Sequence, residues 1–193
     1  MSQNRFRYWY HSALFFTTPT RLFRAAGFGV FGPFADKDID KMLSSVTVNV
    51  LALTSLCHAS IPYMGEGSSI INLGSNSAWQ PVPLQAVYGA GKSYVLNFSR
   101  ALYRELKGKG IHVMCVCPGW IKTEFQKVAR HEDYIRYVDR WYTPKEVADQ
   151  AMKDLKKKKM VSILGRPVRN QVRLVKFLPV KLVMNIWCKQ QGI

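Results

Sequence analysis

"GSSIINLGSNSAWQPVPLQAVYGAGK", residues 67–92, joins a short apolar run to a glycine-bearing turn and then to a tyrosine and a lysine four positions apart. Ile70-Ile71-Asn72-Leu73 followed by Gly74 reads as a buried strand leaving a turn, and Tyr88 to about Leu106 reads as a long helix. On that helix Tyr88 and Lys92 share a face one turn apart, so the ammonium can lie near the phenol oxygen. A phenol with an ordinary pKa of about 10 must fall by roughly 2–3 units to exchange protons near neutral pH, and a neighbouring cation favours the phenolate. Ser75, at the end of the strand, can reach the same point and hydrogen-bond a substrate oxygen.

Working outward, Met42, Val46, Val50, Leu53 and Leu56 recur at helical spacing behind Asp36, Asp38 and Asp40, which predicts one long helix over 36–64. "GKGIHVMCVCPG" predicts a strand from Ile111 to Cys117, set off by Gly108 and Gly110 and ended by Pro118 and Gly119, with Cys115 and Cys117 on one face. "TPKE" places Thr143 as N-cap, Pro144 at the first helical position and Glu146 as the other half of a capping box, for a helix to about Lys157. "MVSILG" is the next candidate strand. Strands alternating with helices predict an α/β fold with a Rossmann-like, doubly wound parallel sheet.

With 193 residues, 48% of them hydrophobic and 21% charged, the chain is expected to form one globular domain, not a disordered one. The formal charge of +16 is uneven: residues 36–150 are near neutral, whereas residues 151–193 hold eleven basic side chains against Asp154 alone. Cys57, Cys115, Cys117 and Cys188 have no metal-ligand spacing and neither have the four histidines, so reduced thiols, a cytoplasmic setting and no metal are expected. The apolar run Ala13 to Phe16 is too short for a signal peptide or membrane span. Without a recognisable nucleic-acid module, the charge alone predicts no nucleic-acid binding.

The conjunction of "VTVNV", "INLGS", "YGAGK" and "CVCPGWIKT", each on its expected helix or strand, resembles the short-chain dehydrogenase/reductase family. The resemblance covers residues 24–165 and leaves an aromatic and basic segment, 1–23, and a basic amphipathic one, 166–193. It implies a catalytic tetrad of Asn49, Ser75, Tyr88 and Lys92: tyrosine as general acid or base, serine on the substrate oxygen, lysine lowering the tyrosine's pKa and binding the nicotinamide ribose, asparagine supporting a proton relay. It places Pro118, Gly119, Ile121 and Thr123 around the nicotinamide and keeps Gly27 of the turn after the family's fourth strand. The implied cofactor is NADP or NAD, and the implied substrate a small carbonyl or alcohol, leaning to the apolar. Pairing of the two long helices across a homo-oligomer follows from the same resemblance.

The sequence departs from the family in two ways. The Thr-Gly-x-x-x-Gly-x-Gly loop that receives the cofactor pyrophosphate is absent, as in an N-terminally shortened member, and Arg24-Ala25-Ala26-Gly27 stands where Asn-Asn-Ala-Gly is usual. Two functional classes therefore stay open: an oxidoreductase, or an inactive relative that binds a membrane surface or a partner through its basic ends. Phe125, Tyr134, Tyr137, Trp141 and Tyr142 read either as a lid over substrate or as local core, with His131 a weaker substrate contact. The last segment, rich in lysine and apolar residues, reads as a surface for an anionic membrane, which makes the protein peripheral, or as a wall of the pocket or of a subunit contact.

Overall fold

The computed structural model describes residues 21–193, apart from residue 130 and the side chains of 131 and 132, so the expectation for His131 lies outside the described residues. Strands β1 (Arg21–Arg24), β2 (Ser69–Leu73), β3 (His112–Val116) and β6 (Val161–Ser162) form one parallel sheet in that order. β1 pairs with β2 from Arg21↔Ser69 to Arg24↔Asn72, so the boundary expected between residues 23 and 24 falls inside a strand.

The sheet is covered on both faces. Ile70, Val113, Cys115 and Cys117 pack on one side with Leu53, Cys57, Val95 and Leu96, while Ile71, Met114 and Val116 pack on the other with Val147, Ala151, Leu155 and Val168. Strands buried on both faces are apolar at most positions, which is why the sequence shows runs and not alternation, and the buried Asn72 of β2 is satisfied by donating to Ser99 Oγ at 3.0 Å.

The first helical stretch departs from a simple helix. It comprises α1 (Ile39–Val46), a π-helical turn (Thr47–Leu51), α2 (Ala52–Ser60) and a final 3-10 turn (Ile61–Tyr63), with Asp38 capping the start through the amides of Asp40 and Lys41. The buried positions are Met42, Ser45, Asn49, Leu53 and Cys57, so Met42 and Leu53 of the predicted stripe are buried and Val46, Val50 and Leu56 are not. A spacing of four drifts by about 40° per step on an α-helix, and the wider π turn winds that drift back. By length and composition Ile39–Tyr63 could cross a membrane, but its packed face lies against the sheet and α3 (Ala86–Glu105).

Beyond β3 the chain forms β4 (Trp120–Ile121), α4 (Phe125–Ala129), α5 (His131–Tyr134) and β5 (Trp141–Tyr142), with β4 and β5 paired in a second small sheet. α6 (Pro144–Lys156) starts with the predicted capping box, both halves formed between Thr143 and Glu146. Thr143→Ala is expected to lower stability by about 1 kcal/mol, measured by chemical denaturation. α7 (Arg166–Leu174) and α8 (Val180–Gln191) then return to the body. Val168, Val172, Val183 and Gln191 are buried there, and Trp187 donates from Nε1 to the Pro83 carbonyl at 3.0 Å.

Candidate active site

Ser75 leaves β2 in extended conformation and caps a 3-10 turn, Asn76–Trp79, accepting from the Ser77 amide at 3.2 Å and donating to Asn76 Oδ1 at 3.3 Å. The turn is tied to the end of β3 by the Asn76 amide, which donates to the Pro118 carbonyl at 2.9 Å. Tyr88, in the first turn of α3, lies between Phe31 and Phe125, with ring centroids 5.7 and 5.3 Å away. Burial pushes its phenol up to about 12; a hydrogen bond with Ser75 works against this and the Cys117 thiol adds to it.

Lys92, only 5% exposed, donates to the Leu73 carbonyl at 2.8 Å and holds its Nζ 5.6 Å from the centre of the Tyr88 ring. Burial lowers its pKa to about 8, and the neighbouring Cys115 and Cys117 thiols pull it back upward. The expectation that Lys92 draws the tyrosine down is therefore not met by the chain alone: its ammonium is engaged by a carbonyl, and burial dominates Tyr88.

Asn49 sits in the π turn, 3% exposed, and donates from Nδ2 to the Phe28 carbonyl at 2.7 Å and to Ser45 Oγ at 3.0 Å. Its Oδ1 is buried with no hydrogen-bond partner and faces Gly27. A side chain at Gly27 would collide with that oxygen and stand 3.5 Å from Lys92 Nζ. Gly27→Val is thus expected to displace Asn49 and weaken nucleotide binding at least tenfold in a fluorescence titration, while Gly65→Val, in open space, leaves it unchanged.

Ser75, Tyr88, Lys92 and Gly27 open on one cavity of about 530 Å³, lined also by Pro118, Gly119, Ile121 and Thr123, whereas Asn49 stands behind Gly27 and is not part of the wall. Thr123 serves twice, since its hydroxyl also accepts from the Phe125 amide at 3.3 Å. Of the aromatics read as a lid, Phe125 is on the wall. Tyr134 instead bonds Lys37, and Trp141 packs 6.2 Å from Trp120. The sequence reading did not place Arg24, Phe31 or Gln85 on this wall, whereas Trp187 brings the last segment to it, one of the alternatives left open for that segment. Arg24, at the end of β1, is buried, donates to the Ala26 and Val48 carbonyls, and leaves its Nε without a partner. No carboxylate lines the cavity among the described residues, so Arg24 and Lys92 set its charge.

A profile of the short chain dehydrogenase family matches residues 20–133, more than half of the chain. This chain belongs to that family. Sulfoacetaldehyde reductase 2 of Chromohalobacter salexigens is 37% identical over 99 residues, which is 50% of this chain and 39% of that protein. The very-long-chain 3-oxoacyl-CoA reductase of Anas platyrhynchos is 36% identical over 100 residues, 51% of this chain and 31% of that protein. The chain thus spans well under half of the length of these curated relatives. Among solved structures, a short-chain dehydrogenase from Sphingobium yanoikuyae in complex with NADPH superposes with a TM-score of 0.68 at 26% identity, covering 83% of this chain and 66% of that one. The parallel sheet with helices on both faces is the Rossmann arrangement of these neighbours.

Proposed function

We propose that this short-chain dehydrogenase interconverts an apolar carbonyl and its alcohol with NADPH or NADH, using Tyr88 as the proton donor in reduction. The observation that carries the reading is the convergence of Ser75, Tyr88 and Lys92 on one largely apolar cavity, with Asn49 Oδ1 directly behind Gly27 of its wall. The nicotinamide end of the cofactor fits the residues present: Gly27 leaves room, Lys92 supplies a cation for the ribose, and residues 118–123 form the opposite wall. When bound, the cofactor supplies or accepts the hydride. Ser75 Oγ then holds the substrate oxygen, Tyr88 gives it a proton, and the orphan Oδ1 of Asn49 accepts from a water that returns one.

Saturable quenching of tryptophan fluorescence by NADPH or NADH tests the reading. A folded chain that binds neither overturns it. Because Tyr88 is held at about 12, it stays protonated at neutral pH, the form needed for reduction. Alcohol oxidation needs the phenolate, so its rate is expected to rise from pH 7 to pH 10 while reduction does not, read from initial rates in both directions.

A second copy of the chain is the proposed cover for the apolar face of the first long helix. Ile39, Leu43 and Leu51 are exposed there, and Thr54 Oγ1 pairs with Tyr94 Oη at 2.8 Å. Leu43→Glu is expected to shift light-scattering mass to that of a monomer; an unchanged mass removes this assembly.

A further inference from the structure

The two faces of α8 carry different chemistry. Val183, Trp187 and Gln191, spaced by four, turn inward: Trp187 lines the cavity, and Gln191 Oε1 accepts from the amides of Arg136 and Tyr137 at 2.9 and 3.1 Å. Opposite them, Leu182, Ile186 and Lys189 lie at i, i+4 and i+7, with Lys181 beside them, all exposed. The last residue of α7 adds Leu174, and the connector after it adds Phe177, 85% exposed. Residues 166–193 contain six basic side chains and no acidic one.

A row of exposed apolar side chains among lysines, with no carboxylate in the segment, suits a surface that is apolar within and anionic at its boundary. Apolar tips enter such an interface while lysines extend along it to the phosphates. A nucleic acid would engage the cations and leave Phe177, Leu182 and Ile186 in water. Lys176 is not counted among the free cations, since its Nζ lies 4.6 Å above the Trp79 ring.

We infer that the α7–α8 connector and the outer face of α8 dock the chain on an anionic lipid bilayer. The inner face of the same helix is a wall of the cavity, so docking sets the cavity one helix thickness from the membrane surface. The inference stands on this surface alone, independent of the redox reading.

Co-sedimentation of the full chain with equimolar phosphatidylcholine and phosphatidylserine vesicles, against phosphatidylcholine alone, tests it. Each lysine near an anionic surface contributes about fivefold to partitioning, so Lys181→Glu with Lys189→Glu is expected to reduce binding at least about 25-fold. The combined Phe177→Ser, Leu182→Ser and Ile186→Ser variant removes the apolar part without altering charge, and is expected to reduce binding at least tenfold. Val128→Ser, which removes an exposed apolar residue of α4, is expected to keep it. No sedimentation with the anionic vesicles, binding by either patch variant equal to the parent's, or loss with Val128→Ser overturns the proposal. A patch variant that changes the mass of the free chain in light scattering, with no vesicle binding by the parent, assigns the patch to self-association and overturns it as well.

Discussion

Tyr88→Phe is expected to lower kcat/KM for reduction of an apolar ketone by about 10²–10⁴-fold, the usual contribution of a positioned general acid. The substitution removes one oxygen and keeps the ring between Phe31 and Phe125. Ser75 retains Asn76 and the Ser77 amide, so stability should change by about 1 kcal/mol or less. Nucleotide binding, followed by tryptophan quenching, is expected to persist. Activity within threefold of the parent would show that the proton comes from another group.

Lys92→Met is expected to have the second largest effect, with a signature in stability as well as in turnover. The folded-state pKa of Lys92 lies near 8, against an ordinary 10.5. Between those values the unfolded chain holds a proton that the folded chain has released, so stability rises with pH. The full shift corresponds to about 3 kcal/mol, most of it gained between pH 8 and pH 10. Tyr88 acts in the opposite sense only above about pH 10, where the unfolded phenol ionises while the folded one keeps its proton to about 12. The Cys57 thiol, held up by burial, and the Cys117 thiol, held up by its hydrogen bond with Cys115 and by burial, oppose this rise within the same window, in parent and variant alike. Denaturant unfolding at pH 8, 9 and 10 should therefore show the parent gaining stability relative to Lys92→Met. At neutral pH the variant sheds the cost of a buried cation but orphans the Leu73 carbonyl, so its stability stays close to the parent's. Nucleotide affinity should fall about tenfold or more, as expected for loss of a hydrogen bond from a charged donor. A difference between parent and Lys92→Met that stays constant from pH 8 to pH 10 would show that Lys92 is not held near 8.

Much of this was legible in the sequence because the elements carry local signals. The capping box at Thr143, the glycines before β3 and the apolar runs of β2 and β3 fix their elements without tertiary information. Tyr88 and Lys92 were legible because helical spacing alone puts them on one face. Other features depend on packing between distant segments. Arg24 reads only as a departure from Asn-Asn-Ala-Gly, and its burial between the end of β1 and the π turn has no local signal. Trp187 reads as one apolar residue of an amphipathic helix, and its place on the cavity wall is set by the Pro83 carbonyl 104 positions earlier. Tyr88's upward shift depends on burial by Phe31 and Phe125, which a motif cannot express.

The wide turn over 47–51 makes the winding of one helix a condition of the site. Removing one residue within it would let the turn close to α geometry while both ends keep their facing, because seven steps of about 100° on an α-helix come round to nearly the face that eight steps reach here. Straightening the turn with no residue lost has the opposite result, a rotation of the N-terminal side by nearly one residue's step of about 100° relative to Leu53 and Cys57, which swings Ser45 away from the Phe28 carbonyl. This helix can spare a residue within its wide turn more easily than it can change its winding.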